Sequence, residues 1–311
     1  MPPISVLVVT YRTPKLTAAA VASALRVPDV AEVIIVDNAD DGETPQLLDA
    51  LDDERVQYVA NDRNAGYGQA ANLAVRQSTT DILLFLNSDA ELTPRAVAAL
   101  VDEVERHGCR CLAGARLVGE DGAIQRSAGL LPGPGDLAAR ALGMHRLGSW
   151  VSRWPVIGRL VRRNRLAREY ASAEESTEPI STSMVSGAVC AIGREAFLEI
   201  GGFDEDFFLY FEDADLCRRV LRAGMPIRYL PQAVVTHIGG GSSSEDYHFG
   251  PRHARSMRLY LWKWYGPGGA AFASVLMFLR AIGFSVGSPR RAPKAWSAFA
   301  ATLGFGGGPP A

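Results

Sequence analysis

The chain has 311 residues, 48% of them hydrophobic and 21% charged, a balance that supplies a sizeable core and fits one large domain with an appendage. A formal net charge of −2 argues against nucleic acid as a partner, because a general nucleic-acid binder carries a basic excess to meet phosphates. Cys109, Cys111, Cys190 and Cys217 are too scattered for a disulfide framework and form no CxxC pair, so they read as reduced thiols in a cytosolic setting.

Met1-Pro2-Pro3 leads straight into Ile4 to Thr10, an apolar β-branched run, without the basic and apolar pattern of a secretory leader. Such a run has the composition of a strand buried on both faces. The Ala- and Leu-rich stretch 15–25, closed by Pro28-Asp29, predicts a helix. Strand-like runs recur at 32–37, 56–60 and 81–86, with helical stretches at 43–51, 66–77 and 94–107. This alternation implies crossover units and an α/β fold around a mainly parallel central sheet flanked by helices. Ligands of open α/β sheets bind beyond the carboxyl ends of the strands. The residues to watch are therefore Thr10-Tyr11, Asp37-Asn38, Asn61 to Asn72, and Asn87-Ser88-Asp89.

From 129 to 183 the texture turns to Gly, Pro, Trp and Arg, with eight arginines between Arg140 and Arg168; an insertion or mobile flap is expected there. Regular structure returns at 185–192, 196–200, 207–223 and 227–238. Beyond 251 a Trp/Tyr-rich segment leads to the apolar stretch 270–286 and a Gly/Pro tail. The expected organisation is a main domain over 1–240, with 129–183 inserted in it, and a C-terminal aromatic and apolar helical appendage over 241–311.

Asp37 and Asp89 each follow an apolar run, so both carboxylates are expected at one rim of the sheet. Acids there can hydrogen-bond a nucleoside or hold a divalent cation through hard oxygen ligands; each could also simply cap a following turn or helix. The loop Asn61 to Asn72 contains Gly66 and Gly68, which permit close backbone approach, and leads into an Ala-rich helix whose first amides suit an anion. Its spacing is not GxGxxG, which disfavours a dehydrogenase. An ordinary loop-to-helix junction is the alternative.

Val9-Thr10-Tyr11, Val36-Asp37-Asn38, Asn64-Ala65-Gly66-Tyr67-Gly68 with Asn72, Leu86-Asn87-Ser88-Asp89 and the long run Gly201 to Arg219 are together similar to the successive motifs of family 2 glycosyltransferases with the GT-A fold. The rhamnosyltransferase-like subgroup of cell-wall and O-antigen assembly resembles them most. The resemblance covers about 4–240. It implies that Thr10, Tyr11 and Asp37 hold the nucleoside, and that Asn64, Gly66 and Asn72 line the ribose and diphosphate side, with Asn87 and Ser88 also at the donor. Asp89 matches the last acid of a DxD-type element that binds Mg²⁺ or Mn²⁺. Here position 87 is Asn, so a single carboxylate remains unless Glu91 joins it. His237 matches the histidine that completes the metal or diphosphate shell; a structural histidine is the alternative. Glu212 and Asp213 match the acid pair, with Asp213 favoured as the base that inverting displacement requires. As two acids opening a helix, they could otherwise serve only its dipole.

The implied activity is transfer of a sugar, with dTDP-L-rhamnose favoured by the resemblance, from a nucleotide-diphospho-sugar to a glycan or polyprenyl-diphosphate-linked acceptor. Transfer of galactofuranose, glucose or N-acetylhexosamine from UDP or GDP, or noncatalytic nucleotide-sugar binding, stays open. Arg153-Trp154, Arg159 and Arg162-Arg163-Asn164-Arg165, together with Trp262-Lys263-Trp264-Tyr265 and the following apolar stretch, suggest attachment to an anionic membrane surface. A full span is disfavoured by Arg280 and several glycines. A cytoplasmic location, peripheral to the inner face of the cell membrane, is expected.

Overall fold

A computed structural model describes residues 1–40, 42–141, 176–239 and 250–305; the arginine-rich stretch from Arg146 to Arg168 lies outside them. Side chains that alternate by two along a strand point to opposite faces, and this alternation divides the core. In β1 (Ile4–Thr10), Ile4, Val6 and Val8 enter one cluster while Leu7 enters a second. In β2 (Val30–Asp37), Val33 and Ile35 share the first cluster, and Ile34 and Val36 the second. After β3 (Val56–Ala60), β4 (Ile82–Asn87) repeats the division: Ile82, Leu84 and Leu86 on one side, Leu83 and Phe85 on the other.

The remaining strands are β5 (Ala90–Glu91), β6 (Leu112–Val118), β7 (Ile124–Gln125), β8 (Ala128–Gly129), β9 (Ile180–Ser181), β10 (Met184–Val185), β11 (Val189–Gly193) and β12 (Ile227–His237). Among the described residues, ten strands form one sheet, eight along the path β3-β2-β1-β4-β11-β6-β12-β5 with β7 paired to β6 and β9 to β12. Pairing is parallel from β3 to β4 and between β6 and β12, while β11 runs antiparallel to both of its neighbours. The run 185–192, which reads as one segment, is two strands because the chain leaves the sheet around Gly187.

Helices cover both faces. On the first lie α1 (Pro14–Leu25), through Ala20, Val21 and Ala24, and, after α2 (Glu43–Asp49) and α3 (Tyr67–Gln77), α4 (Pro94–Arg106), through Val97, Leu100, Val101 and Val104. The start of α4 is fixed locally: Thr93 Oγ1 accepts from Ala96 N–H at 3.2 Å and Pro94 opens the first turn, satisfying an amide that would otherwise lack a partner. The second face is covered by α3 and, after α5 (Pro134–Ala141), by α6 (Arg194–Glu199) and α7 (Glu212–Arg222).

A third cluster joins α5 and Phe207 and Phe211 to two C-terminal helices, α8 (Pro251–Gly287) and α9 (Ala292–Thr302). The apolar stretch 270–286 is thus the second half of a longer helix, broken at Gly266 (φ 69°, ψ −163°) before Pro267. Residues 207–211, expected to be continuous with the following helix, are instead an irregular turn.

Phe85 is fully buried and meets Phe197 at 5.1 Å and Phe203 at 5.2 Å between ring centroids. It supports the turn before Asp204 from beneath. Phe85→Ala is expected to cost about 3–5 kcal/mol, read as a lower urea midpoint at an unchanged slope.

Candidate active site

Strand register brings the predicted residues to one rim, with Thr10 beside Asp37 and Val9 beside Asn87. Thr10 is buried, and its hydroxyl lies 2.6 Å from that of Thr17 and 3.1 Å from that of Thr13. Thr13 in turn meets the Ser88 hydroxyl at 3.1 Å. The hydroxyls of Thr10 and Ser88 therefore tie β1, α1 and the end of β4 together. Tyr11, next in the chain, is only partly buried, with Arg12 stacked over its ring at 5.0 Å. Asp37 is fully buried: one oxygen accepts from Ala39 N–H at 2.9 Å and the other from the Tyr58 hydroxyl at 3.0 Å. Each carboxylate oxygen has a second lone pair with which to accept a further donor.

The Gly66 loop is pinned on two sides. Asn38 Nδ2 donates to Gly66 O at 3.1 Å and Asn64 Oδ1 accepts from Gly66 N–H at 3.1 Å. Gly66 has φ 85°, and a Cβ there would collide with the Phe208 carbonyl, which accepts from Tyr67 N–H at 2.9 Å. Only glycine permits both the dihedral and the approach. Asn72, expected at the ribose and diphosphate, holds backbone groups of the chain. Its carboxamide accepts from Phe203 N–H and donates to Phe203 O, each at 2.9 Å, clamping α3 to the Gly201-Gly202 turn.

Asp89 and His237 meet because β5 pairs with β12, His237 opposite Ala90, and Ile238 N–H donates to Asp89 O at 3.0 Å. Gln125 Nε2 donates to His237 O at 2.6 Å, which turns Gln125 Oε1 onto His237 Nδ1 at 2.7 Å. An amide oxygen there requires the proton on Nδ1, so the lone pair of Nε2 faces Asp89 Oδ1 at 3.4 Å, with Asn87 Nδ2 at 3.5 Å. A lone pair and a carboxylate oxygen at this separation repel unless a cation or a second proton lies between them. One carboxylate and one imidazole, oriented by Gln125, fit a divalent cation such as Mn²⁺ or Mg²⁺ that takes its other ligands from diphosphate and water. Glu91 does not join them: its carboxylate lies 3.9 Å from Arg26, and no cluster of three acid, His or Cys ligands occurs among the described residues. Gln125, in a two-residue strand, carries no local sequence signal for this role.

Glu212 and Asp213 open α7 after two consecutive residues in the left-handed region, Tyr210 (φ 70°) and Phe211 (φ 68°). For non-glycine residues this strain costs about 1–3 kcal/mol each and is sustained only by surrounding contacts. Asp213 accepts from Ala214 N–H at 2.7 Å and from Gly187 N–H at 3.4 Å. Gly187 precedes Ala188, whose carbonyl accepts from Asn87 N–H at 2.8 Å, so the acid pair and the end of β4 are neighbours. Glu212 is buried with Oε2 lacking a hydrogen bond. Burial, and then the charge of Asp213, push Glu212 up to about 8. Burial also raises Asp213, opposed by the amides of Ala214 and Gly187.

The acid pair is buttressed by the C-terminal helix. Asp215, fully buried, is bound by Lys263 Nζ at 2.8 Å, Trp264 Nε1 at 2.9 Å and Arg219 Nε at 2.8 Å. Lys263 also bridges to Asp204, and Ser256 donates to Leu209 O at 2.8 Å. The Trp262 to Tyr265 motif, expected at a membrane surface, thus has Lys263 and Trp264 in tertiary contacts; Tyr265 pairs with Arg218 at 3.0 Å.

Residues 5–201 match the family described as glycosyl transferase family 2, and 145–306 match glycosyl transferase family group 2. The chain belongs to glycosyl transferase family 2. This glycosyltransferase is 29% identical over 228 residues to the N-acetylglucosaminyl-diphospho-decaprenol L-rhamnosyltransferase of Mycobacterium tuberculosis, covering 69% of the chain and 68% of the relative. It is 21% identical to the dTDP-rhamnosyl transferase RfbF of Shigella flexneri, covering 68% of the chain and 61% of that protein. Among solved structures it resembles GalNAc-T7 with UDP, GalNAc and Mn²⁺ (TM-score 0.58, 17% identity), covering 86% of this chain but only 51% of that one. It also resembles the mannosyltransferase of Pyrobaculum calidifontis with GDP-Man and Mn²⁺ (TM-score 0.54, 18% identity; 99% and 76% covered). These likenesses establish the GT-A fold, with a C-terminal helical region.

A carboxyl whose folded pKa lies above its unfolded value contributes stability that is full below the unfolded value and is lost as pH rises through the folded one. For Glu212 that window runs from 4.5 to about 8. Glu212→Gln should therefore gain unfolding free energy relative to the native protein as pH rises from 5 to about 8, measured by paired urea titrations; a constant difference would contradict the burial of this charge.

Proposed function

We propose that this glycosyltransferase moves a sugar with inversion, L-rhamnose from dTDP-rhamnose being the favoured donor, onto a hydroxyl of a lipid-linked or cell-envelope glycan. The observation that carries the reading is the hydrogen-bonded path Asn87–Ala188–Gly187–Asp213, which sets a candidate base beside the rim bearing Asp89. The donor and acceptor classes are supported by the rhamnosyltransferase relatives, among them one acting on a diphospho-decaprenol.

In this reading Asp37 accepts a hydrogen bond from the nucleoside base beside Tyr11, and the loop at Asn64 and Gly66 lies along the ribose and diphosphate. Thr10, Ser88 and Asn87 shape the rim. Asp89 and His237 would hold Mg²⁺ or Mn²⁺, and such a cation supplies charge neutralisation at the departing nucleoside diphosphate. Asp213 takes the proton of the acceptor hydroxyl as its oxygen bonds to the anomeric carbon and the bond from that carbon to the diphosphate oxygen breaks on the opposite side. Burial that raises Asp213 makes it a stronger base. Burial and the charge of Asp213 push Glu212 up to about 8, while the amides of Ala214 and Gly187 favour the charged form of Asp213, so of the two adjacent acids Asp213 is assigned the role of base. A lipid-linked acceptor fits a cytoplasmic enzyme peripheral to the inner face of the membrane.

Asp213→Asn should lower transfer by about 10²–10⁴-fold, the usual contribution of a general base, with donor affinity by calorimetry little changed. Glu212→Gln, which keeps a neutral side chain, should lose far less; the reverse order would move the base by one residue. Screening nucleotide sugars with the native enzyme identifies the donor. For the cation site, Asp89→Ala should weaken Mn²⁺-dependent donor binding more than His237→Ala does, because a carboxylate brings charge and an imidazole does not. Donor binding unaffected by excess chelator would reject the role of both.

A further inference from the structure

Between 250 and 305 the chain has eight Lys and Arg residues and no Asp or Glu. In the same segment the half of α8 after the kink turns one face inward, through Ala270, Ala273, Leu276, Met277 and Ala281. Its other face is exposed and apolar: Val275 56%, Phe278 39%, Leu279 50%, Ile282 41% and Val286 83%. The spacing of these five follows the helical repeat, so they form a single stripe. Arg280, expected to interrupt the apolar stretch, lies off that stripe, with its guanidinium bonded to the Ala141 carbonyl and stacked over Phe284 at 4.6 Å. The stripe continues onto α9, because Phe278 meets the half-exposed Trp296 at 5.9 Å between ring centroids. The turn joining the two helices carries Arg290 and Arg291, both exposed.

We propose that this composite face of α8 and α9 is a foot that docks the enzyme on an anionic lipid surface. Its apolar stripe sinks among the acyl chains near the headgroups, and Arg290 and Arg291 meet the lipid phosphates. The helix lies in the plane of the surface and does not cross it, since its inner face is already buried against α5 and the 207–211 turn. The exposed Arg290 and Arg291 beside the stripe match a negatively charged bilayer. The same charge opposes pairing of this face with a second copy, where arginines would meet arginines. The usefulness of the foot rests on the lipid-linked acceptor of the proposed function; the surface itself rests on exposure and charge alone. It also bears on the reacting groups, for α8 carries Lys263 and Trp264, which bind Asp215 two residues beyond Asp213.

The test is co-sedimentation of the full chain with vesicles of phosphatidylglycerol and phosphatidylcholine, against vesicles of phosphatidylcholine alone. The native protein should sediment with the anionic vesicles at low salt. The double variant Leu279→Asp, Ile282→Asp should bind at least about tenfold more weakly, because both changes oppose insertion of the stripe. The variant Arg290→Glu, Arg291→Glu should bind more weakly and be released at lower salt. Both variants should keep the native thermal midpoint and donor hydrolysis in solution, since the altered side chains are exposed and distant in the chain from the nucleotide motifs. Indifference of the native protein to anionic vesicles, equal binding to phosphatidylcholine alone, or unchanged binding by the double variant overturns the foot; so does a native dimer that the double variant converts to monomer without loss of vesicle binding. Vesicle binding by a protein that transfers no sugar would leave the foot standing and remove the proposed function instead.

Discussion

The hydrogen bond from Tyr67 N–H to the Phe208 carbonyl is the contact on which the site depends. It joins the loop that leads into α3 to the turn that launches the acid pair, two pieces of chain more than a hundred residues apart. Gly66 makes the approach possible, and a Cβ there would push the turn away. Asn72 reinforces the junction a turn further along α3 by holding both backbone groups of Phe203. These contacts register the Gly66 loop and α3 against the turn that precedes the acid pair. Such registration matters because displacement requires the reacting atoms to be held within a few tenths of an ångström of a productive line.

The electrostatics of the acid pair follow from the same packing. Two adjacent carboxyl groups at a helix start would both be ionised in water. Here the strained turn at Tyr210 and Phe211 buries Glu212 while leaving Asp213 two backbone amides as donors. The amides oppose the effect of burial on Asp213, whereas burial and the neighbouring charge act in the same direction on Glu212. Identical functional groups one residue apart are therefore differentiated by backbone donors.

The C-terminal helices belong to this arrangement physically. Lys263 bridges Asp204 and Asp215, Arg219 supplies a second cation to Asp215, and Trp264 donates a further hydrogen bond to it. Breaking such a buried, hydrogen-bonded charge by removing one partner is strongly destabilising, so α7 and the C-terminal helices are expected to gain or lose order together. These contacts cross the division expected near 240.

The α/β class, the parallel strand pairs and the common rim of Asp37, Asn87 and Asp89 were legible from residue order alone, because β-branched runs alternating with helical ones admit few arrangements and strand ends fix which residues share an edge. The Gly66 loop and the Glu212-Asp213 pair were legible as motifs for a similar reason: their chemistry is carried by neighbours in sequence. What only the tertiary structure decided involves partners far apart in the chain. Gln125 sets the tautomer of His237 from 112 residues away. Asn72 is a clamp because Phe203 arrives beside it. Lys263 and Trp264 face Asp215 because α8 packs on α7, and Arg280 leaves the apolar stripe because α5 offers it a carbonyl. No local pattern encodes these pairings: side-chain composition specifies what a residue can bond to, and only the packing of distant elements determines which of its possible partners comes within reach.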